Sequence, residues 1–165
     1  MKKIFLAAGI SLVTATVTFA QDNNDRDNTS VSPVVKSQFS TDFPNAMNID
    51  FESKKNFNEV SFMQDNEKIS AYYDYNDQLI GTVEKKAFSD LPGDAQKEIL
   101  KKYSDYTIAG VVKFNDNESD HLEMILYGTP LHDEDNYFVE LKNDSSAIVV
   151  KVDLSGGVEF LTTMK

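Results

Sequence analysis

The feature that most constrains this chain is an internal echo. Val35, Phe39 and Phe43 lie four residues apart, and Ala95, Ile99 and Tyr103 repeat that spacing 60 residues later. Apolar side chains at that interval line one face of a helix. Each stripe is followed by alternating segments. Val60-Ser61-Phe62 and Ile69–Leu79 have counterparts in Val139-Glu140-Leu141 and Ile148–Val158, displaced by 79. Alternation of apolar and polar residues describes strands with one buried face. A helix followed by strand hairpins, written twice, is the pattern to be folded.

The offset grows from 60 at the helices to 79 at the hairpins, so the second unit carries an insertion, placed at residues 115–134. It holds an extra strand candidate, Leu122–Tyr127, and acidic loops. In the first unit Ser32 and Pro33 read as helix cap and first helical position, and Pro44 as the stop. Strands are expected around Met47–Phe51, Val60–Phe62, Ile69–Tyr75 and Leu79–Val83, with turns at Gln64-Asp65-Asn66-Glu67 and Asn76-Asp77. In the second, Leu91-Pro92-Gly93-Asp94 opens a helix. Strands are expected at Thr107–Phe114, Tyr137–Leu141, Ala147–Leu154 and Val158–Thr163. Strand runs separated by two short helices indicate an α+β fold, an antiparallel sheet built from two helix-plus-hairpin repeats with both helices on one face. The repeats span 32–86 and 87–165. Periodicity leaves open whether they form one sheet or two.

The first 20 residues stand apart. Lys2 and Lys3 precede an apolar run, Ile4–Val17, and Thr18-Phe19-Ala20 forms a small-x-small exit. This is the pattern of an export signal cleaved after Ala20. Residues 21–31 are polar and acidic, a flexible leader. The remaining 145 residues suit one domain with its own core. With no cysteine, no disulfide supports it in an oxidising compartment. A periplasmic or secreted location is expected, with no membrane insertion after cleavage.

Net charge excludes one class of partner. The chain carries −11, and loss of Lys2 and Lys3 lowers it by two, to −13. Nucleic acid needs a basic footprint and is not expected; plain solubility, the blander reading, or a basic protein partner fits this acidic chain better.

The motifs in order are Phe39, then Phe43-Pro44-Asn45-Ala46, then Ile49-Asp50-Phe51-Glu52, then the Ala71–Leu79 hairpin and Leu91-Pro92 before Tyr103. Together they resemble the PepSY-like, β-lactamase-inhibitor-like (BLIP-like) domains of secreted proteins from Bacteroidetes-type bacteria. Phe51 stands where that family usually has tryptophan. The glycine of its tyrosine-aspartate-x-x-glycine hairpin is replaced by Asp77 or Gln78, whereas Val152-Asp153-Leu154-Ser155-Gly156-Gly157-Val158 keeps the glycines. The resemblance covers residues 32–165 and implies a non-enzymatic module that binds or inhibits other secreted proteins. It brings no catalytic residues.

The residues themselves support no catalytic set. Asp74 and Asp153 precede turns and read as acceptors for backbone N–H groups. The acidic clusters Asp22–Asp27, Asp116–Asp120 and Asp133–Asp135 lack the glycine and distal glutamate of a calcium loop. His121 and His132 show no metal-ligand spacing, and no serine lies in a glycine-flanked elbow. No metal or cofactor is expected. The core face should carry Ile69, Ala71, Tyr73 and Tyr75, matched by Ile148, Val150, Val152 and Leu154. The opposite face, expected to be open, would then present Tyr72, Ser70, Val149 and Lys151 to a partner, with tyrosine as anchor. A small-ligand or cation-binding protein using the acidic loops is the alternative; calorimetry with calcium and zinc separates the two.

Overall fold

A computed structural model describes residues 17–19, 31–54, 57–74, 76–117, 124–130 and 134–164. The first helix, α1, spans Pro33–Asp42. The Ser32 hydroxyl accepts the Val35 N–H at 3.1 Å and caps it, with Pro33 in the first turn. Val35 and Phe39 are its buried residues. After a strand at Val17–Phe19 (β1) and α1 come β2 (Met47–Ser53), β3 (Asn58–Gln64), β4 (Glu67–Tyr73) and β5 (Leu79–Lys85). A 3-10 turn, Phe88–Asp90, leads into α2, Gly93–Lys102. Then follow β6 (Thr107–Asp116), β7 (Met124–Leu126), β8 (Thr129–Pro130), β9 (Asn136–Lys142), β10 (Ala147–Asp153) and β11 (Val158–Met164).

Eight strands form one continuous antiparallel sheet in the order β11-β10-β9-β6-β5-β4-β3-β2. The two halves join where β5 pairs with β6, Val83 opposite Phe114 and Glu84 opposite Lys113. The fold is thus α+β, with an eight-stranded sheet and two helices. The remaining strands form a small separate sheet, β1-β7-β8.

The helix side of the sheet carries two cores. Val35 and Phe39 pack with Val60, Phe62, Ile69, Ala71 and Tyr73. Ala95 and Ile99 pack with Val139, Leu141, Ile148, Val150 and Val152. The matched apolar positions of the sequence echo are therefore buried, or half-buried at Phe43, Tyr103, Leu79 and Val158, apart from two at its end. Leu154 is 56% exposed, because it lies past β10 in the turn, and Tyr75 falls outside the described residues. Between the cores the facing row runs Ile69, Glu84, Lys113, Tyr137, Val152. The middle of that row is polar. Asn115 Nδ2 donates to Glu84 Oε1 at 2.9 Å, and Lys86 pairs with Glu84 at 2.8 Å and with Glu67. Burial alone would lower the Lys86 ammonium, but its bonds to Glu67 and Glu84 outweigh that and hold it above its ordinary value.

The other face departs from expectation. A third core joins Tyr72, Ile80, Phe114, Phe138 and Val149 with Leu126 of β7. The Tyr127 ring lies 6.0 Å from that of Phe138, and its hydroxyl donates to the buried Glu140 at 2.7 Å. Leu126 and Tyr127, in the described part of the insertion, thus lie over the middle of the sheet and cover it. Gly81 makes room beneath: a Cβ there would lie 2.7 Å from both the Phe114 ring and the Asn115 carbonyl oxygen.

Candidate functional site

The expected contact residues separate on this framework. Tyr72 is 5% exposed and Val149 fully buried, so neither presents a surface; the expectation of an open face fails where the insertion lies. They occupy β4 and β10, with β5, β6 and β9 between them. Lys151, also on β10, is half-buried and pairs with Glu159 at 3.4 Å. Ser70 is half-buried too and stands outside the third core, its hydroxyl 3.1 Å from that of Ser61.

The region around Ser70 is the part of the second face that the described insertion leaves open. One row across it runs Asp50, Ser61, Ser70, then reaches the covered Val83 and Phe114. The next runs Glu52, Glu59, Tyr72, Gly81. Both rows begin polar at the β2 edge and turn apolar towards the centre. Asp50 is exposed, the Glu52 side chain is 61% exposed, and Met47 is 58% exposed opposite Met63.

Two carboxylates stand directly opposite each other here, Glu52 on β2 and Glu59 on β3. Like charges at that position oppose strand pairing. Lys54 offsets part of the repulsion through an ion pair with Glu52. The Tyr72 hydroxyl donates to Glu59 at 3.3 Å and fixes the second carboxylate. Burial first, and then the Glu59 charge, push the Tyr72 phenol above its ordinary value, so it stays a donor. Tyr72 therefore acts behind the surface, holding an acid that lies on it. The sequence signal for this patch was present: Asp50 and Glu52 alternate with Ile49 and Phe51, and Glu59 and Ser61 flank Val60. Which side of the sheet stayed open was not.

The turn aspartates do what their positions suggest. Asp74 Oδ1 accepts the N–H groups of Asn76 at 2.8 Å and Gln78 at 2.7 Å. Asp153 Oδ1 accepts those of Ser155 at 2.8 Å and Gly157 at 3.0 Å. The Ser155 hydroxyl and these backbone bonds hold the Asp153 carboxyl below the usual carboxylate range. The glycine missing from the first turn has a stand-in: Asp77 takes φ 63° where Gly156 has 98°. Aspartate tolerates the left-handed region better than most residues. Its carboxylate also accepts from Ser32, the cap of α1, at 2.9 Å. In the second half Gly156 comes up against Pro92, ahead of α2, where a Cβ would sit 3.2 Å from the proline ring. Each turn thus locks onto the start of its own helix, by a hydrogen bond in one half and by close packing in the other.

His121 and His132 lie outside the described residues, as do Asp22–Asp27 and parts of the other two acidic clusters. Among the described residues no group of three or more His, Cys, Asp or Glu side chains is arranged to hold a metal ion.

The sequence matches no family model and no curated protein. Solved structures do match. A BLIP-like protein from Bacteroides fragilis superposes with a TM-score of 0.65 at 15% identity, covering 84% of this chain and 88% of its own. A DUF2874 family protein from Bacteroides uniformis gives 0.65 at 10% identity, with 82% and 89% covered. A protein from Bacteroides eggerthii, given a provisional periplasmic description, gives 0.65 at 10% identity, with 82% and 88% covered. Identity this low carries the architecture and no more: the chain has the BLIP-like fold seen in these Bacteroides proteins.

Proposed function

We propose that this chain is an exported, non-enzymatic protein-binding module that presents the acidic open end of its second sheet face to a basic partner. The carrying observation is the opposed pair Glu52 and Glu59, with the exposed Asp50 beside them, at the end of the second face away from the third core formed by the described residues. A partner lysine or arginine between those acids would relieve their repulsion, and long-range attraction by the acidic chain would speed encounter. The BLIP-like fold and the periplasmic description of one structural neighbour favour this reading.

The module reads as a tandem duplication. Helix stripes, buried strand positions and both turn aspartates recur at offsets of 60 or 79, and each half contributes one helix and four strands to the large sheet. The contact end belongs to the first copy. In the second, the insertion covers the face.

Affinity capture with the exported protein tests the proposal. Wild type should retain a partner at low salt and release it as salt screens the charges. A variant carrying Asp50→Lys, Glu52→Lys and Glu59→Lys, folded by circular dichroism, should not retain it. Equal recovery by both proteins refutes this site.

A further inference from the structure

The strand β7 is bonded on both sides, and one of its neighbours comes from the segment that reads as an export signal. Val17, Thr18 and Phe19 pair antiparallel with Leu126, Ile125 and Met124. On its other side β7 meets β8, with Leu126 opposite Thr129. The two residues between them, Tyr127 and Gly128, have φ of 54° and 76°. Positive φ at both positions marks a two-residue type I′ hairpin, which closes on a hydrogen-bonded pair. Leu126 therefore directs its backbone groups to β8. In an antiparallel ladder hydrogen bonding alternates sides along the strand, so Ile125 directs its N–H and C=O outward, to Thr18.

Cleavage after Ala20 would remove β1 and leave that N–H and C=O without a strand partner among the described residues. The strand bearing them is not loose: Leu126 is fully buried in the third core, and Tyr127 is tied to Glu140. A rigid strand with an unpaired edge is a template for an added strand. The polar leader that follows the signal has little in common with the Val-Thr-Phe segment seated there.

We infer that in the processed protein the outer edge of β7 accepts an extended segment of another exported protein, with apolar residues at alternate positions as in Val17-Thr18-Phe19. This rests on the export reading and is independent of the acidic patch.

The test uses protein exported and processed in a Gram-negative host, with its N-terminus determined. The probe is a fluorescent peptide of residues 15–20, followed by anisotropy and by hydrogen exchange at residues 124–126. Protein beginning at Gln21 should bind the peptide and slow exchange at Ile125. The same peptide N-methylated at Thr18 loses the donor facing Ile125 and should bind about tenfold more weakly. Uncleaved full-length chain, its edge already filled, should bind neither. Three results overturn the inference: an exported protein that retains Val17–Phe19, a processed protein that does not bind, or equal binding of both peptides. None of them bears on the charge-reversal variant, so the two proposals fail separately.

Discussion

Replacing Gly81 with alanine tests the packing that closes the second face. The added Cβ would fall 2.7 Å from the Asn115 carbonyl oxygen and from one Phe114 ring carbon, and 2.9 Å from another. The ring can tilt, but the carbonyl cannot retreat freely. It belongs to β6, where Asn115 and Asp116 are in register with Thr82 and Gly81. Overpacking of this kind costs about 1–3 kcal/mol. Alanine also reduces the freedom of the unfolded chain, a gain of about 0.4–1 kcal/mol where the backbone permits it. Those two ranges leave a net loss of about 0–2.6 kcal/mol, centred on ~1.3 kcal/mol. For a chain of this size the central value lowers Tm by about 3–5 °C. The control is Gly93→Ala, at the start of α2, where nothing lies within 4 Å. It has the entropic gain without the clash and should raise Tm slightly. Differential scanning calorimetry of both variants, supported by urea midpoints, decides the matter. A Gly81→Ala protein as stable as wild type would mean that Phe114 does not sit over β5 as described, and that the third core is looser than its burial implies.

The hairpin cover should respond to pH. Burial pushes the Glu140 carboxyl above the usual carboxylate range, and the Tyr127 hydroxyl only partly offsets it. A raised folded value means the folded state binds the proton more tightly, so this group favours folding most at low pH and that advantage is lost as pH rises through the folded value. Glu140→Gln keeps an acceptor for Tyr127 and removes the charge; its Tm should exceed wild type at pH 7, and the gap should narrow at pH 4. A gap that widens in acid contradicts the assignment. The turn aspartates should differ in weight. Asp74 is 4% exposed, so Asp74→Ala removes a buried acceptor from two part-buried backbone donors and should cost about 1–3 kcal/mol. Asp153 is half-buried but its turn bonds are exposed, so water can replace them and Asp153→Ala should lower Tm less; equal losses would show that burial is not what matters. Because the Asp153 carboxyl is held low, its contribution is present above the ordinary aspartate range and disappears as pH falls through its folded value. The acid limb of a stability profile should therefore flatten in Asp153→Asn.

Local order was legible in the chain because its signals are local. Val35 and Phe39 share a helix face by spacing, Ile69, Ala71 and Tyr73 share a strand face by alternation, and Asp74 and Asp153 sit at turns by side-chain length. Even the missing glycine had a local answer in Asp77. Alternation places Tyr72 opposite Tyr73, and that held. What alternation cannot say is whether the side it points to meets water or protein.

The sequence by itself determined the helices, the strands of the large sheet, their core face and the matched turns, since each follows from a periodicity within a few residues. Tertiary structure alone decided two things. It joined the halves into one sheet through β5 and β6, and it laid the insertion over Tyr72, Phe114, Phe138 and Val149. Both depend on contacts between segments far apart in the chain, and an irregular insertion has no period to announce where it docks. That docking turned an expected open surface into core.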